Sequence, residues 1–186
     1  MPRLTDARKE LRRSQITEAA VRCFSRNGLE RTSIADITAE SGLSNGSIYA
    51  HYRSKADLVQ ASAHAVLTKR AEALGDYAAS DTPPDPDELL ARLIAAIDPA
   101  EARVGVQTWG EATTNPAIHG IVVDTIDRMR AMVHDCVMAH LVKAEHLDPA
   151  EAQEQVAPIT DRVMALYLAE LLHTALRTPP PEETAS

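Results

Sequence analysis

The sequence predicts an all-α chain in which a three-helix N-terminal head is joined by a long fourth helix to a helical body. Three observations carry that expectation. Apolar residues recur at helical spacing in almost every patterned segment. No stretch alternates apolar and polar residues between turn signals. Ser, Asn, Asp, Gly and Pro stand where helices begin and end. With 186 residues, 45% of them hydrophobic, the chain can bury one or two modest cores without cross-links, and with 3% aromatics aliphatic packing must dominate.

The first helix shows its buried stripe at Ile16, Ala19, Ala20, Cys23 and Phe24, and Asn27-Gly28 ends it. A second opens at Ser33, where Ser33-Ile34-Ala35-Asp36 has the form of a capping box, and stops at Gly42. A third, barely two turns long, is capped by Ser44 and carries Ile48 and Tyr49. The fourth opens at Ser54, again with an acid three residues on (Asp57), and runs without Gly or Pro to about Leu74. Residues 80–87, rich in Pro and Asp, read as an exposed loop. Further helices are expected near 87–97, 100–113, 116–146 and 149–176. The third of these opens with Asn115-Pro116 and the fourth with Asp148-Pro149, and Pro158 is expected to kink the last. The tail 178–186 is expected to be disordered.

The formal net charge of −8 conceals a split. Residues 1–60 hold ten Lys/Arg against seven Asp/Glu, and residues 61–186 hold nine against twenty. A basic head on an acidic body is a hint of nucleic-acid binding. Cys23 and Cys136 are far apart and in no metal-ligating spacing, which disfavours a disulfide-stapled secreted domain and makes a reducing cytoplasm the simplest compartment. No apolar run approaches the ~20 residues that span a bilayer, and the charged N-terminus does not resemble a signal peptide.

Catalysis finds no support. His134, His140 and His146 lie six apart, which rotates each by ~240° on a helix, so they do not share a metal. His134-Asp135-Cys136 are sequence neighbours pointing in different directions, and the Gly-rich run 42–47 lacks the Gly-Lys-Ser/Thr of a phosphate loop. No catalytic residue, metal or cofactor is called for.

Two short helices across a tight Gly turn, the second polar at its start, describe a helix-turn-helix over about 33–52. Ile37, Gly42, Leu43 and Ile48 supply the inner apolar positions and the turn, leaving Ser44, Asn45 and Ser47 to a groove. The ordered set Ile16, Ala19, Ala20, Phe24, Gly28, Thr32, Ser33, Ile34, Ile37, Gly42, Leu43, Ser44, Gly46, Ile48, Tyr49, His51, Tyr52, Lys55 and Leu58 resembles the DNA-binding domain of TetR-family transcriptional regulators. The resemblance covers about residues 10–60. Thr38 and Ser41 stand where the family usually has Ala, and Tyr52 where it usually has Phe.

The resemblance implies roles at matching positions. Thr32 and Ser33, at the start of the second helix, would bind a phosphate. Ser44, Asn45 and Ser47 would approach base edges or the sugar-phosphate wall, with Gly46 allowing close approach. Tyr49 and His51 would hold phosphates, Tyr52 would pack inside the head, and Lys55 would add a cation at the start of the fourth helix. Arg31, and with it Arg8, Lys9, Arg12 and Arg13, would supply non-specific attraction. The organisation implied is a flexible basic N-terminus over 1–9, a head over 10–60, and an effector-binding and dimerisation body over 61–177.

In the body the last helix carries more apolar surface than one intramolecular face needs. Ile159, Val163, Met164, Tyr167, Leu168, Leu171 and Leu172 are therefore expected at a homodimer interface. Gln107, Trp109 and Glu111, with Met129, Met132 and Val133, are candidate effector contacts, ordinary core being the plainer alternative for each. The expected function is a repressor released by a small-molecule effector that binds a near-palindromic operator in double-stranded DNA. The alternative is an all-helical carrier or interaction module whose head has lost DNA recognition.

Overall fold

The computed structural model describes residues 3–177 and Pro179, and within them every regular element is a helix. In chain order these are α1 (Arg3–Asn27), α2 (Ile34–Ser41), α3 (Asn45–Tyr49), α4 (Lys55–Ala79), α5 (Pro86–Ala95), α6 (Pro99–Ala112), α7 (Pro116–Lys143) and α8 (Pro149–Arg177). Apart from Pro179, the tail 178–186 lies outside the described residues.

Local signals set most boundaries. Gly28 and Gly42 take φ of +89° and +68°, the left-handed conformation that ends α1 and α2 without a Cβ penalty. Ser33 forms both halves of its capping box. Its hydroxyl accepts from the Asp36 N–H at 3.2 Å, and the Asp36 carboxylate accepts from the Ser33 N–H at 2.7 Å. Each body helix from α5 to α7 opens with an acidic or amide cap followed by Pro: Asp85-Pro86, Asp98-Pro99 and Asn115-Pro116. At α8 Asp148 accepts from the Ala150 N–H at 2.9 Å in the same pattern.

Three boundaries differ from the sequence expectation. Residues 3–9, expected as a flexible arm, are helical, because nothing between Arg3 and Asn27 breaks a helix. α4 continues past Gly75 to Ala79, since the ammonium of Lys143 on α7 binds the terminal carbonyls of Ala78, Ala79 and Ser80 at 2.9, 3.2 and 3.0 Å. α7 stops at Lys143, where His146 turns with φ of +57° and the Leu147 N–H returns to the Leu141 carbonyl at 3.0 Å. α8 runs on through Pro158, which lies on its exposed side.

Two cores result. In the head, Ile16, Ala20, Phe24, Ile37, Ile48 and Leu58 are fully buried, and the cluster extends to Val104, Ala112 and Ile118 of the body. The second core joins Leu74, Leu89, Val133, Val137, Leu141, Val156 and Val163 of α4, α5, α7 and α8. The head therefore rests on α6 and the start of α7 as well as hanging from α4.

Candidate nucleic-acid interface and body cavity

The helix-turn-helix is held as a unit by its own side chains. Glu40 on α2 accepts from Arg22 and Arg26 on α1 at 2.7 and 2.8 Å, and the bonds from Arg26 and then Arg22 hold its carboxyl below the ordinary range. Gln15 donates to the Ser41 carbonyl at 2.8 Å. The two hydroxyls where the sequence departs from Ala are both engaged. Thr38 donates to the Ile34 carbonyl and reaches Asn45 Oδ1, bridging α2 to α3, while Ser41 Oγ donates to the Thr38 carbonyl and accepts from the Leu43 N–H. Tyr52, 4% exposed, packs in the head core with its hydroxyl 3.0 Å from Thr17 Oγ1.

With Ile48 buried beneath it, α3 turns Asn45, Gly46 and Tyr49 outward, and Tyr49 is 56% exposed. Ser44 is also exposed, though its hydroxyl caps the Ser47 N–H at 3.2 Å. Ser47 and His51 are half-buried, and Arg31 is exposed with its Nε donating to the Asn27 carbonyl at 3.0 Å. Arg8, Lys9, Arg12 and Arg13 all lie exposed on α1, and Arg13 stands 5.9 Å over the Tyr52 ring.

Two expected phosphate ligands are occupied elsewhere. Thr32 is 1% exposed, its hydroxyl donating to the carbonyls of Gly28 and Cys23 and its N–H to Gly28. It therefore locks the α1–α2 turn from within. Lys55 reaches back from α4 to the carbonyls of Leu29 and Glu30, both at 2.9 Å, and ties that turn to α4. Ser33 remains exposed at the N-terminus of α2, but its hydroxyl and N–H serve the capping box. All three positions thus serve the architecture of the head.

In the body, a cavity of about 140 Å³ lies among α1, α4, α6, α7 and α8, walled mainly by Val59, Val66, Leu67, Trp109, Ile126 and Leu171. Of the six candidate effector contacts, Trp109 and Met129 line it. Gln107, Glu111, Met132 and Val133 do not. Glu111 accepts from the Asn115 side chain at 3.0 Å at the head of α7, and Met132 and Val133 belong to the second core. The direction of each side chain around α6 and α7 decided this, and apolar character alone does not encode it.

The candidate dimer face is corrected in the same way. Val163, Met164 and Tyr167 are 1%, 5% and 5% exposed and fill the chain's own core, so they have no surface to offer a partner. Ile159 is half-buried against that core, and Leu168 and Leu171 line the cavity. Leu172, at 40%, remains exposed, as does Leu166, at 47%, which belongs to the same apolar run of the last helix, and the sequence reading missed Leu176 at 72% and Val123 of α7 at 43%. Arg130 of α7 and Asp161 of α8 pair between these helices at 2.6 Å.

Residues 16–62 match the family model described as bacterial regulatory proteins of the tetR family. Residues 16–62 are a TetR-family domain. This TetR-type head is 46% identical over 61 residues to the HTH-type transcriptional regulator TtgR of Pseudomonas putida, an alignment covering 33% of this chain and 29% of that one. The chain thus matches less than a third of the length of that curated relative. The whole fold is shared more widely. FadR of Bacillus subtilis, solved with stearoyl-CoA, superposes with a TM-score of 0.59 at 18% identity, covering 89% of this chain and 99% of that one. The multidrug-binding protein EbrR, solved with ethidium, gives 0.55 at 18% identity, covering 80% and 98%. At such identity the likeness speaks for the TetR-type architecture of head and body.

Among the described residues no helix is long and apolar enough to cross a membrane.

Proposed function

We propose that the chain is a sequence-specific DNA-binding regulator that binds a near-palindromic operator as a homodimer and is released by a small molecule held in the body. The observation that carries this reading is the exposed polar start of α3, with Asn45, Gly46 and Tyr49 outward on a head whose other polar groups are spent on holding it together. An α-helix presented this way fits the major groove, where Asn45, its Oδ1 held by Thr38, can still donate through Nδ2 to base edges. Tyr49 supplies a hydroxyl for the phosphate wall, and Arg8, Lys9, Arg12 and Arg31 add attraction from either side.

Homodimerisation is supported by the exposed apolar residues Val123, Leu166, Leu172 and Leu176 on α7 and α8. A two-fold axis through that surface would place two α3 helices for successive major grooves, ~34 Å apart or somewhat more. The cavity is lined by Val21 of the head, by α4 and by α6, the elements on which the head is mounted. A ligand there with different affinities for two settings of α4 and α6 would shift the spacing of the heads, and only that difference would drive release. Repression is the sense of regulation we propose.

The test is to retain fragmented genomic DNA on the purified protein at ~150 mM salt and sequence it. Enrichment of a few fragments sharing a near-palindrome supports the reading. No enrichment at that salt or lower would favour a carrier of small molecules with the same fold.

A further inference from the structure

Tyr167 lines the cavity, as do three hydroxyls that the helices themselves satisfy. Ser62, Thr108 and Thr125 each donate to the carbonyl four residues back, at 2.9, 2.6 and 2.6 Å. Its two acids are likewise spent, Asp98 accepting from the N–H groups of Ala100 and Glu101 at 2.9 Å each, and Glu101 accepting from Lys69 at 2.8 Å. Arg70 is different. It lines the same cavity and is 9% exposed, and its guanidinium donates through Nη2 to the Ala96 carbonyl at the end of α5, at 2.6 Å. Its Nε is buried with no hydrogen-bond partner. A buried charged donor left unpaired carries a desolvation cost that a negatively charged acceptor would relieve more fully than a neutral one.

From this geometry we infer that the cavity binds a small apolar monocarboxylate whose carboxylate pairs with the guanidinium of Arg70 and whose hydrocarbon body lies against Trp109, Val66 and Leu171. The space of about 140 Å³ has room for a single ring or a short chain, close to the ~150 Å³ that accommodates benzene in an apolar protein interior. The inference rests on the reading of this cavity as the ligand site, and adds the chemical class of the ligand.

The experiment is calorimetric titration of the full chain, without DNA, with benzoate, benzamide and benzylamine, and with hexanoate against hexanamide. The expected result is that each acid binds at least tenfold more tightly than its amide and that benzylamine does not bind. In Arg70→Met the acid's advantage over the amide disappears. Because Arg70 also holds the end of α5, a second variant keeps the charge and removes the space. A Cβ at Gly105 would stand 3.6 Å from Leu171 Cδ2, in ordinary contact, so Gly105→Leu extends into the cavity and is expected to abolish binding of acid and amide alike. Acids binding no better than amides, or benzylamine binding best, would overturn the inference. Operator binding is assayed separately. Acid binding by a protein that recognises no DNA would uphold the ligand class and sink the regulator, whereas operator binding without acid preference would do the reverse.

Discussion

The head and the body are built from the same kind of helix, yet their side chains are used in opposite ways. In the head almost every singled-out polar group closes on a neighbour: Ser33 on Asp36, Thr38 on Asn45, Glu40 on two arginines, Lys55 on Leu29 and Glu30. What remains outward is the small face of α3. In the body the helices enclose a cavity, and Arg70 keeps an unmatched donor beside it. A domain that presents a fixed surface gains from local closure, while one that takes up a guest must leave space and valence open.

The strongest way to break this contrast is to remove the centre of the head. Phe24 is fully buried, and Phe24→Ala should cost about 3–5 kcal/mol in urea unfolding, enough to unfold the head. Glycine separates the two regions by sign. Gly42→Ala forces a Cβ into φ of +68° and should destabilise by ~1 kcal/mol, whereas Gly75→Ala, inside α4 with open space around it, should stabilise by ~0.5 kcal/mol, both read from the denaturation midpoint. Lys55 and Tyr49 sharpen the distinction between holding the head and using it. Lys55→Met should lower stability by ~1 kcal/mol through two lost charge-assisted bonds, and Tyr49→Phe should leave the melting temperature unchanged while weakening DNA binding.

The smallest expected effect is on acid stability. Asp36 is held below its ordinary pKa by the Ser33 N–H and hydroxyl, Glu40 by Arg26 and Arg22, and Asp57 by the Arg53 N–H and Ser54. Their folded values lie below the unfolded ones, so their contribution is present above the ordinary carboxylate range of ~4 and is lost as pH falls through the lowered values. In the body Asp85 is lowered in the same way by the N–H groups of Glu88 and Asp87. Amide exchange followed from pH 6 to pH 3 should show the α1–α2 region losing protection before the α7–α8 core. Equal loss in both would mean these carboxylates do not matter to the head.

The head was legible because its signals are short-range: caps at Ser33, Ser44 and Ser54, turns at Gly28 and Gly42, and a period-matched apolar stripe. The structural bonds of Thr32 and Lys55 were not legible because sequence tells that a polar residue stands at a helix start and does not tell which carbonyl lies across the turn. In the body the helices were legible and their facing was not. Met164 and Tyr167 look like interface residues until α7 closes over them, and Arg70, beside Lys69, reads as one more surface cation until the end of α5 arrives against it. The repeated acid-Pro starts at Asp85 and Asp98 were available signals that fix the starts of α5 and α6.

The central claim, that the outward face of α3 reads DNA while the rest of the head only holds it, is tested most directly by fluorescence anisotropy with a duplex bearing the selected near-palindrome. Wild type and Asn45→Ala are compared from ~50 to 200 mM salt. The account predicts that wild-type affinity falls by orders of magnitude over that range and that Asn45→Ala, which also loses the Thr38 bond and is therefore compared at a temperature where its helical signal equals that of wild type, binds the palindrome at least tenfold more weakly while binding scrambled DNA as wild type does. Equal affinity of wild type for palindrome and scrambled duplex, or an Asn45→Ala variant indistinguishable from wild type on both, would contradict it.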